Sequence, residues 1–173
     1  RRGIYTCFEA IKILYNDIPS IHLLLIGPVD GHEQSTFNKF MDDPILKERI
    51  THYQWKDISE FPSYTKASNI CLSPIFRNEQ HESGVANKVF QYMLFGKPLI
   101  VSDCAPQVEI VETENCGLVF KSNDALDLAA KIEFLYNHPQ ESIGMGMNGK
   151  KAVVEKYNLE KCGEKLKELY ANL

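Results

Sequence analysis

Residues 83–103 read SGVANKVFQYMLFGKPLIVSD, a loop of small residues followed by a helical segment and an aliphatic run. We predict a helix over 85–95 that ends at Gly96, because glycine readily adopts the left-handed backbone found just after a helix. Leu99–Ser102 is short, aliphatic and β-branched, which favours a strand. A helix that leads into a buried strand is the repeating unit of an α/β protein.

The rest of the chain continues this alternation. Further strands are predicted at 21–26, 50–54, 69–73 and 117–120. Further helices are predicted at 4–16, at 35–41 with Ser35 as the cap, from 57 or 59 to 66, and at 106–112, 124–136, 140–156 and 159–172. The pattern predicts an α/β fold with a Rossmann-like, doubly wound parallel sheet that helices cover on both faces.

The loops that follow the predicted strands are the expected ligand site. In an open parallel sheet the crevice for ligands lies outside the carboxyl ends of the strands. We therefore expect the loops at 27–32, 54–57, 74–84 and 102–106 to face one cleft.

Length and composition limit the classes of protein to consider. The chain has 173 residues, of which 44% are hydrophobic and 24% charged, and we expect a single domain over 1–173. Its net charge of −4 argues against nucleic acid as the main partner. No aliphatic run approaches the ~20 residues that span a bilayer. Five cysteines without a CxxC pair indicate free, mostly buried thiols in a reducing cytoplasm.

The first predicted element is a helix. Arg1-Arg2-Gly3 lead directly into it, whereas a doubly wound sheet normally opens with a strand. We expect a piece of a longer protein that has at least this strand upstream.

The start of the helix after Gly84 is a candidate anion site. Backbone N–H groups at a helix amino terminus point outward and favour anions, so one or two phosphates are well placed there. Asn87 and Gln91 are four residues apart and share a helix face beside that point, and Lys88 adds a positive charge. The alternative is purely structural, since small residues often precede a helix.

This stretch resembles the donor-site signature of the retaining glycosyltransferases of family 4, which have the GT-B fold. That family typically has Glu-Gly-Phe-Gly, then Glu-Ala-Met, Gly-Lys-Pro and Val-Ile-Ala-Ser-Asp, and a sub-branch has Asn-Lys-Leu-Phe-Glu-Tyr-Met where this chain has Asn-Lys-Val-Phe-Gln-Tyr-Met. Similar matches are Arg2-Gly3 to Lys-Gly, residues 23–27 to the second strand and its glycine, 67–74 to Ala-Asp-Val-x-Val-x-Pro-Ser, and 116–120 to Gly-Leu-Leu-Val. The resemblance covers nearly the whole chain, but only the carboxyl-terminal, nucleotide-sugar half of the family. The amino-terminal, acceptor-binding half has no counterpart.

The resemblance implies a glycosyltransferase of the hexosyltransferase type, as in polysaccharide biosynthesis. It would move a sugar from a nucleotide diphosphate sugar to a glycan or lipid-linked acceptor and retain the anomeric configuration. GT-B enzymes generally stabilise the leaving diphosphate with a helix amino terminus and basic side chains, so neither a cofactor nor a metal is implied, and the chain contains no Asp-x-Asp. Arg2, at the family's lysine, and Lys88 are the catalytic candidates; for Arg2 the alternative is a solvated terminal side chain.

The implied partner within the polypeptide is the amino-terminal domain, without which this half would bind nucleotide and transfer nothing. A cytoplasmic location follows, with peripheral attachment to the inner face of the membrane as an option for the full-length protein. No transmembrane segment is expected.

The family's two glutamates, which are separated by seven intervening residues, fall on Ser83 and Gln91. The second glutamate binds the ribose; Gln91 keeps an acceptor oxygen without the charge, so we expect ribose binding weakened by about 1 kcal/mol. The first contacts the donor sugar, and Glu82, one residue before Ser83, is the candidate to replace it. The rest of the donor-binding segment is Gly84, Val85, Ala86 and Asn87.

Two donor-binding candidates lie on other loops. Gly27 is expected to make the tight turn that admits the nucleotide. Trp55 follows the strand at 50–54, where the family contacts the base, and either stacks on a nucleobase or packs under its loop.

Two other functions stay open. Because Ser83 and Gln91 replace both glutamates, a nucleotide-sugar-binding module of the same fold without catalysis is the first alternative. A signalling receiver domain is the second, but only Asp57 loosely matches its phosphorylated aspartate and no acidic pair follows a first strand.

Overall fold

The computed structural model describes residues 3–171, with the side chains of Cys162, Lys165, Leu166 and Leu169 left aside. The strands within this range are β1 (Leu23–Ile26), β2 (Ile50–Tyr53), β3 (Cys71–Ser73), β4 (Leu99–Ser102) and β5 (Gly117–Phe120). The helices are α1 (Ile4–Leu14), α2 (Gln34–Met41), α3 (Pro44–Arg49), α4 (Phe61–Ala67), α5 (Glu79–Glu82), α6 (Asn87–Leu94), α7 (Ala105–Thr113), α8 (Ala125–Asn137), α9 (Pro139–Glu155) and α10 (Leu159–Ala171).

Every strand pairing is parallel, as the alternation of strands and helices predicts. β1 pairs with β2, with Leu24 opposite Thr51, and β3, β4 and β5 pair in that order, with Ile100 between Leu72 and Leu118. The described strands thus form a two-stranded and a three-stranded sheet. The α/β class with a parallel sheet is confirmed, and the single continuous sheet is not seen within residues 3–171.

Helices cover β4 on both faces because successive side chains of a strand point to opposite sides. Ile100 joins one core cluster with residues of α1 and α8, such as Leu14 and Leu128. Leu99 and Val101 join a second cluster with residues of α6, α7 and α9. A third cluster fixes α1 and α2 against β2. All of β4 is buried, which is the reason for its uniformly apolar Leu-Ile-Val sequence.

Several predicted boundaries need correction. Ser35 is not a cap, because a 3-10 turn at Gly31–Glu33 runs directly into α2 and places Ser35 inside its first turn. The strand expected from residue 21 begins at Leu23, and the one expected from 69 begins at Cys71.

Two short helices were not predicted. α3 begins at Pro44, where the Asp43 carboxylate accepts hydrogen bonds from the amides of Ile45 and Leu46. α5 lies within the expected polar loop and is capped by Asn78. Both have six residues or fewer, too few for a helical repeat to show in the sequence.

Glycines allow two close backbone approaches. Gly3 has φ +67°, and a Cβ there would lie 1.7 Å from the carbonyl oxygen of Pro74, so α1 begins directly against the segment that follows β3. On α9, a Cβ at Gly146 would lie 2.1 Å from the carbonyl oxygen of Gly96, the positive-φ residue after α6, as predicted for a C′ glycine. Gly149 instead packs against side chains: a Cβ there would lie 3.1 Å from Cβ of Cys116 and 3.2 Å from Cγ of Met93 in α6.

Four cysteine side chains, Cys7, Cys71, Cys104 and Cys116, are free and buried, as predicted. The side chain of Cys162 lies outside the described part. Among helices within residues 3–171, none is both long and apolar enough to cross a membrane.

Candidate functional site

The loops after the strands meet in pairs at the carboxyl edge. The amide of Gly27, after β1, donates to the carbonyl of Tyr53 at the end of β2 (3.0 Å), and Nε2 of His52 lies 2.8 Å from the Gly27 carbonyl oxygen. Across the second sheet, the Ser102 hydroxyl at the end of β4 donates to the carbonyl of Ile75, two residues after β3 (2.5 Å). The predicted loops therefore lie at the ends of the sheets where a parallel fold binds ligands.

Gly27 makes an open turn. Its φ is +141°, which favours glycine, and a Cβ at this position would meet no atom within 4 Å. The backbone here faces open space, which leaves room for a ligand to approach it.

Trp55 lies in the loop after β2 and is 72% exposed. Packing under the loop, one of its two predicted roles, is therefore wrong, and its ring faces solvent. The neighbouring Lys56 does pack inward: its ammonium lies 4.5 Å from the ring centre of Tyr53 and 3.4 Å from the Glu60 carboxylate. The loop is thus anchored beside a tryptophan that stays accessible.

The central element of the candidate site is the start of α6. The helix begins at Asn87, two residues later than predicted, because Ala86 is extended (φ −66°, ψ 128°). The first N–H groups of any helix lack partners inside it, and Ala86 has no side-chain acceptor to cap them. A Cβ at Gly84 would meet nothing within 4 Å. An uncapped helix start thus adjoins open space.

The predicted binding face of α6 is accessible. Asn87 and Gln91 are both exposed, and Val85 and Ala86 are half-buried. Lys88 is half-buried, and its ammonium is near enough to the Cys7 thiol of α1 to oppose the effect of burial, which raises the pKa of that thiol to about 12. The Lys88 charge is therefore close enough to α1 to influence this thiol.

Glu82 already has two partners. Its carboxylate accepts from Nε of Arg77 (2.6 Å) and from the amide of Ala105, the first residue of α7 (3.0 Å). These contacts, the guanidinium first, lower the pKa of Glu82. Ser83 is exposed and donates to the Gln80 carbonyl (2.8 Å). The segment around Ser83, the position of the family's first glutamate, is therefore held by hydrogen bonds within the segment and by one to α7.

Arg2, the remaining catalytic candidate, lies outside the described residues. The structure places its neighbour Gly3 against Pro74.

Sequence reasoning missed Arg77 and Gln107. Gln107 is fully buried in α7 and forms hydrogen bonds with both Ser73 and Ser102. Its spacing to Ile110 and Val111 is a helical i, i+3, i+4 pattern, and this was the available signal that a polar side chain points into the protein. No comparable signal marks Arg77.

The fold described above, a parallel α/β domain with loops at the carboxyl ends of its strands, is the class to which the carboxyl-terminal half of a GT-B glycosyltransferase belongs. The family model described as "Glycosyl transferases group 1" matches residues 1–138, and the chain belongs to this family.

Curated relatives include the capsular polysaccharide biosynthesis glycosyltransferase CapM of Staphylococcus aureus, 22% identical over 98% of this chain and 42% of that protein. A trehalose synthase of Pyrococcus horikoshii is 26% identical over 99% of this chain and 41% of that protein. The chain therefore spans about two fifths of the length of these relatives.

Solved structures confirm the fold. Sucrose-phosphate synthase from Thermosynechococcus elongatus matches all of this chain and 43% of its own, with a TM-score of 0.81 and 25% identity. HepE of Anabaena, solved in complex with UDP, matches with a TM-score of 0.86 and 16% identity over 99% of this chain and 46% of its own. The carboxyl-terminal domain of the group 1 family protein LpcC from Francisella tularensis has a TM-score of 0.80 and 17% identity, over 91% of this chain and 80% of that domain.

Proposed function

We propose that this chain is the donor-binding half of a metal-independent, retaining hexosyltransferase. The whole enzyme would transfer a sugar from a nucleotide diphosphate sugar to a glycan or lipid-linked acceptor. The observation that carries this proposal is the uncapped start of α6, which adjoins the open Gly84 turn and the exposed Asn87–Gln91 face at the carboxyl edge.

Charge at this point suits a leaving diphosphate. A helix start carries a partial positive charge and outward N–H groups, and both favour phosphate. The ammonium of Lys88 adds a full charge in the next residue of the helix, and Arg2 would add another beside Gly3. Positive groups fixed in advance around developing negative charge are usually the largest single contribution to catalysis.

The nucleoside end has its own candidates. Gln91 lies one turn along α6 from Asn87, so its amide oxygen would accept from a ribose hydroxyl when phosphates occupy the helix start. Trp55 offers an exposed aromatic face for the base, and the open backbone at Gly27 leaves room for the nucleotide to approach.

Similar proteins support a nucleotide sugar as the ligand. HepE structures were solved with UDP, with UDP and glucose, and with UDP-glucose. CapM is named for capsular polysaccharide biosynthesis, which supports a glycan product.

A thermal-shift panel tests the proposal. UDP, GDP and ADP, each with and without a hexose, are added to the chain, and we expect one base to raise Tm in both forms. The same panel is run on Gln91→Ala, which should reduce the shift. Gln140→Ala, which replaces an exposed glutamine in the first turn of α9, is the matched control. The absence of any shift, together with no heat of binding by calorimetry, would refute the proposal.

A second candidate is a binding module that has lost catalysis. It is favoured by the engagement of Glu82 with Arg77 and Ala105, which leaves neither the original glutamate nor a disengaged substitute at the sugar position. Sugar transfer by the natural full-length polypeptide would exclude this candidate.

A further inference from the structure

A buried polar network lies directly beneath the segment that leads to the candidate site. Ser73 at the end of β3, Ser102 at the end of β4 and Gln107 in α7 are all fully buried. The Ser73 hydroxyl donates to Oε1 of Gln107 (2.5 Å), and Nε2 of Gln107 donates to Oγ of Ser102 (3.2 Å) and to its carbonyl (3.4 Å). The network joins two strands and a helix through one amide side chain.

The direction of these hydrogen bonds also fixes the direction of the one between Ser102 and Ile75. Because Gln107 supplies a proton to Oγ of Ser102, the hydroxyl proton of Ser102 is directed to the carbonyl of Ile75, 2.5 Å away. Burial makes this order costly to break, since a buried polar group left without a partner loses its solvation. Ile75 is itself buried and is the residue at which the segment 75–86 begins.

A second point of the same segment, Glu82, is held by α7 itself. The Glu82 carboxylate accepts from the amide of Ala105, two residues before Gln107. On its other side, the carbonyl of Pro74 lies against Gly3, where no side chain fits. Segment 75–86 is therefore held at Ile75 by Ser102, which Gln107 orients, and at Glu82 by the amide of Ala105 in the first turn of α7.

We propose that Gln107 is a positioning residue which, through Ser102, sets the segment 75–86 against the start of α6 so that this segment meets the sugar of the donor. This inference rests on the proposed function and extends it to a residue that touches neither phosphate nor sugar. Phosphates at the start of α6 depend less on the network, because α6 is held separately by the Val89 and Met93 packing of the second core cluster.

Ser102→Ala and Gln107→Met test the proposal. Ser102→Ala removes the hydroxyl that donates to Ile75, and Gln107→Met removes the amide that orients this hydroxyl, each with little change of volume. Thr65→Val is the control, because it deletes a buried hydroxyl that donates only within α4, to Phe61. Calorimetry measures Kd for UDP and UDP-glucose, or for the pair from the panel that binds, and hydrogen exchange follows the amides of 76–82 with those of α9 as reference.

We expect both variants to raise the Kd for the nucleotide sugar roughly three- to tenfold, which is the effect of about one hydrogen bond. The Kd for the bare diphosphate should change less than twofold. Exchange should rise in 76–82 and stay unchanged in α9, and Ser102→Thr should restore both. Equal loss for both ligands, or unchanged exchange in 76–82, would overturn the proposal. If one variant does not fold, the other decides. A wild-type chain that binds no nucleotide would refute the proposed function alone, since the exchange measurement still tests the positioning.

Discussion

Replacement of Gly3 by alanine measures how firmly the start of α1 is seated beside the candidate site. At φ +67° an L side chain costs about 1–2 kcal/mol. The added Cβ would lie 1.7 Å from the Pro74 carbonyl oxygen, about half an ordinary contact distance of roughly 3.5 Å, so backbone must move. We expect a total loss of at least about 3 kcal/mol, which in a domain of this size lowers Tm by roughly 6–12 °C.

The assay is thermal unfolding followed by circular dichroism and calorimetry. Gly144→Ala is the matched control: the same methyl is added inside α9, where it meets nothing within 4 Å. Alanine is favoured over glycine in a helix by up to about 1 kcal/mol, so this variant should gain stability. If Gly3→Ala unfolds within 2 °C of the wild type, the close contact between α1 and Pro74 is not present.

Three further predictions test the site and the fold. Gln91→Ala should weaken nucleotide binding several-fold by calorimetry while Gln140→Ala leaves it unchanged; equal affinities would mean that the ribose lies elsewhere. Arg2→Ala should weaken a nucleoside diphosphate more than the bare nucleoside, and equal loss for both would argue against a phosphate contact. Glu114, 8% exposed at its side chain, accepts from Lys156 (2.8 Å) and Tyr157 (2.9 Å), and these contacts lower its pKa. A carboxyl group with a lowered pKa in the folded state stabilises the fold at pH values above its ordinary pKa of 4.5, and this stabilisation is lost as the pH falls. Glu114→Gln should therefore cost about 1 kcal/mol at pH 7 and make the stability less dependent on pH on the acid side. An unchanged acid limb would contradict this.

Elements with a full period or a strong cap were predictable from sequence. β4 and β5 were predicted with their observed bounds, and α8 begins after Asp124, whose carboxylate accepts from the amide of Asp127. The start of α6 was placed two residues early, because nothing in the sequence Val85-Ala86 indicates that the backbone of Ala86 is extended.

The arrangement of the sheets depends on contacts between distant residues. Within residues 3–171 the strands form two separate parallel sheets, and the strand expected upstream of residue 1 stays a prediction.

For the candidate site, the sequence predicted the helix start and its exposed face, but it did not predict the contacts that hold the neighbouring segment in place. Glu82 was predicted from its position in the chain, but its pairing with Arg77 and Ala105 depends on the approach of α5 to α7. Gln107 was treated as an ordinary helix residue, although its neighbours at i+3 and i+4 are core residues.

The glycines of α9 have a consequence for how this molecule can vary. Gly146 lets α9 lie directly on the turn after α6, against the backbone of Gly96, and Gly149 lets it pack on the side chains of Met93 and Cys116. A methyl group at Gly146 would force backbone to move, whereas at Gly149 it would press on side chains that can shift by a few tenths of an ångström. The spacing between α9 and the helix that starts at the candidate site therefore depends on these two glycines, and mutational libraries should tolerate fewer substitutions at Gly146 than at Gly149.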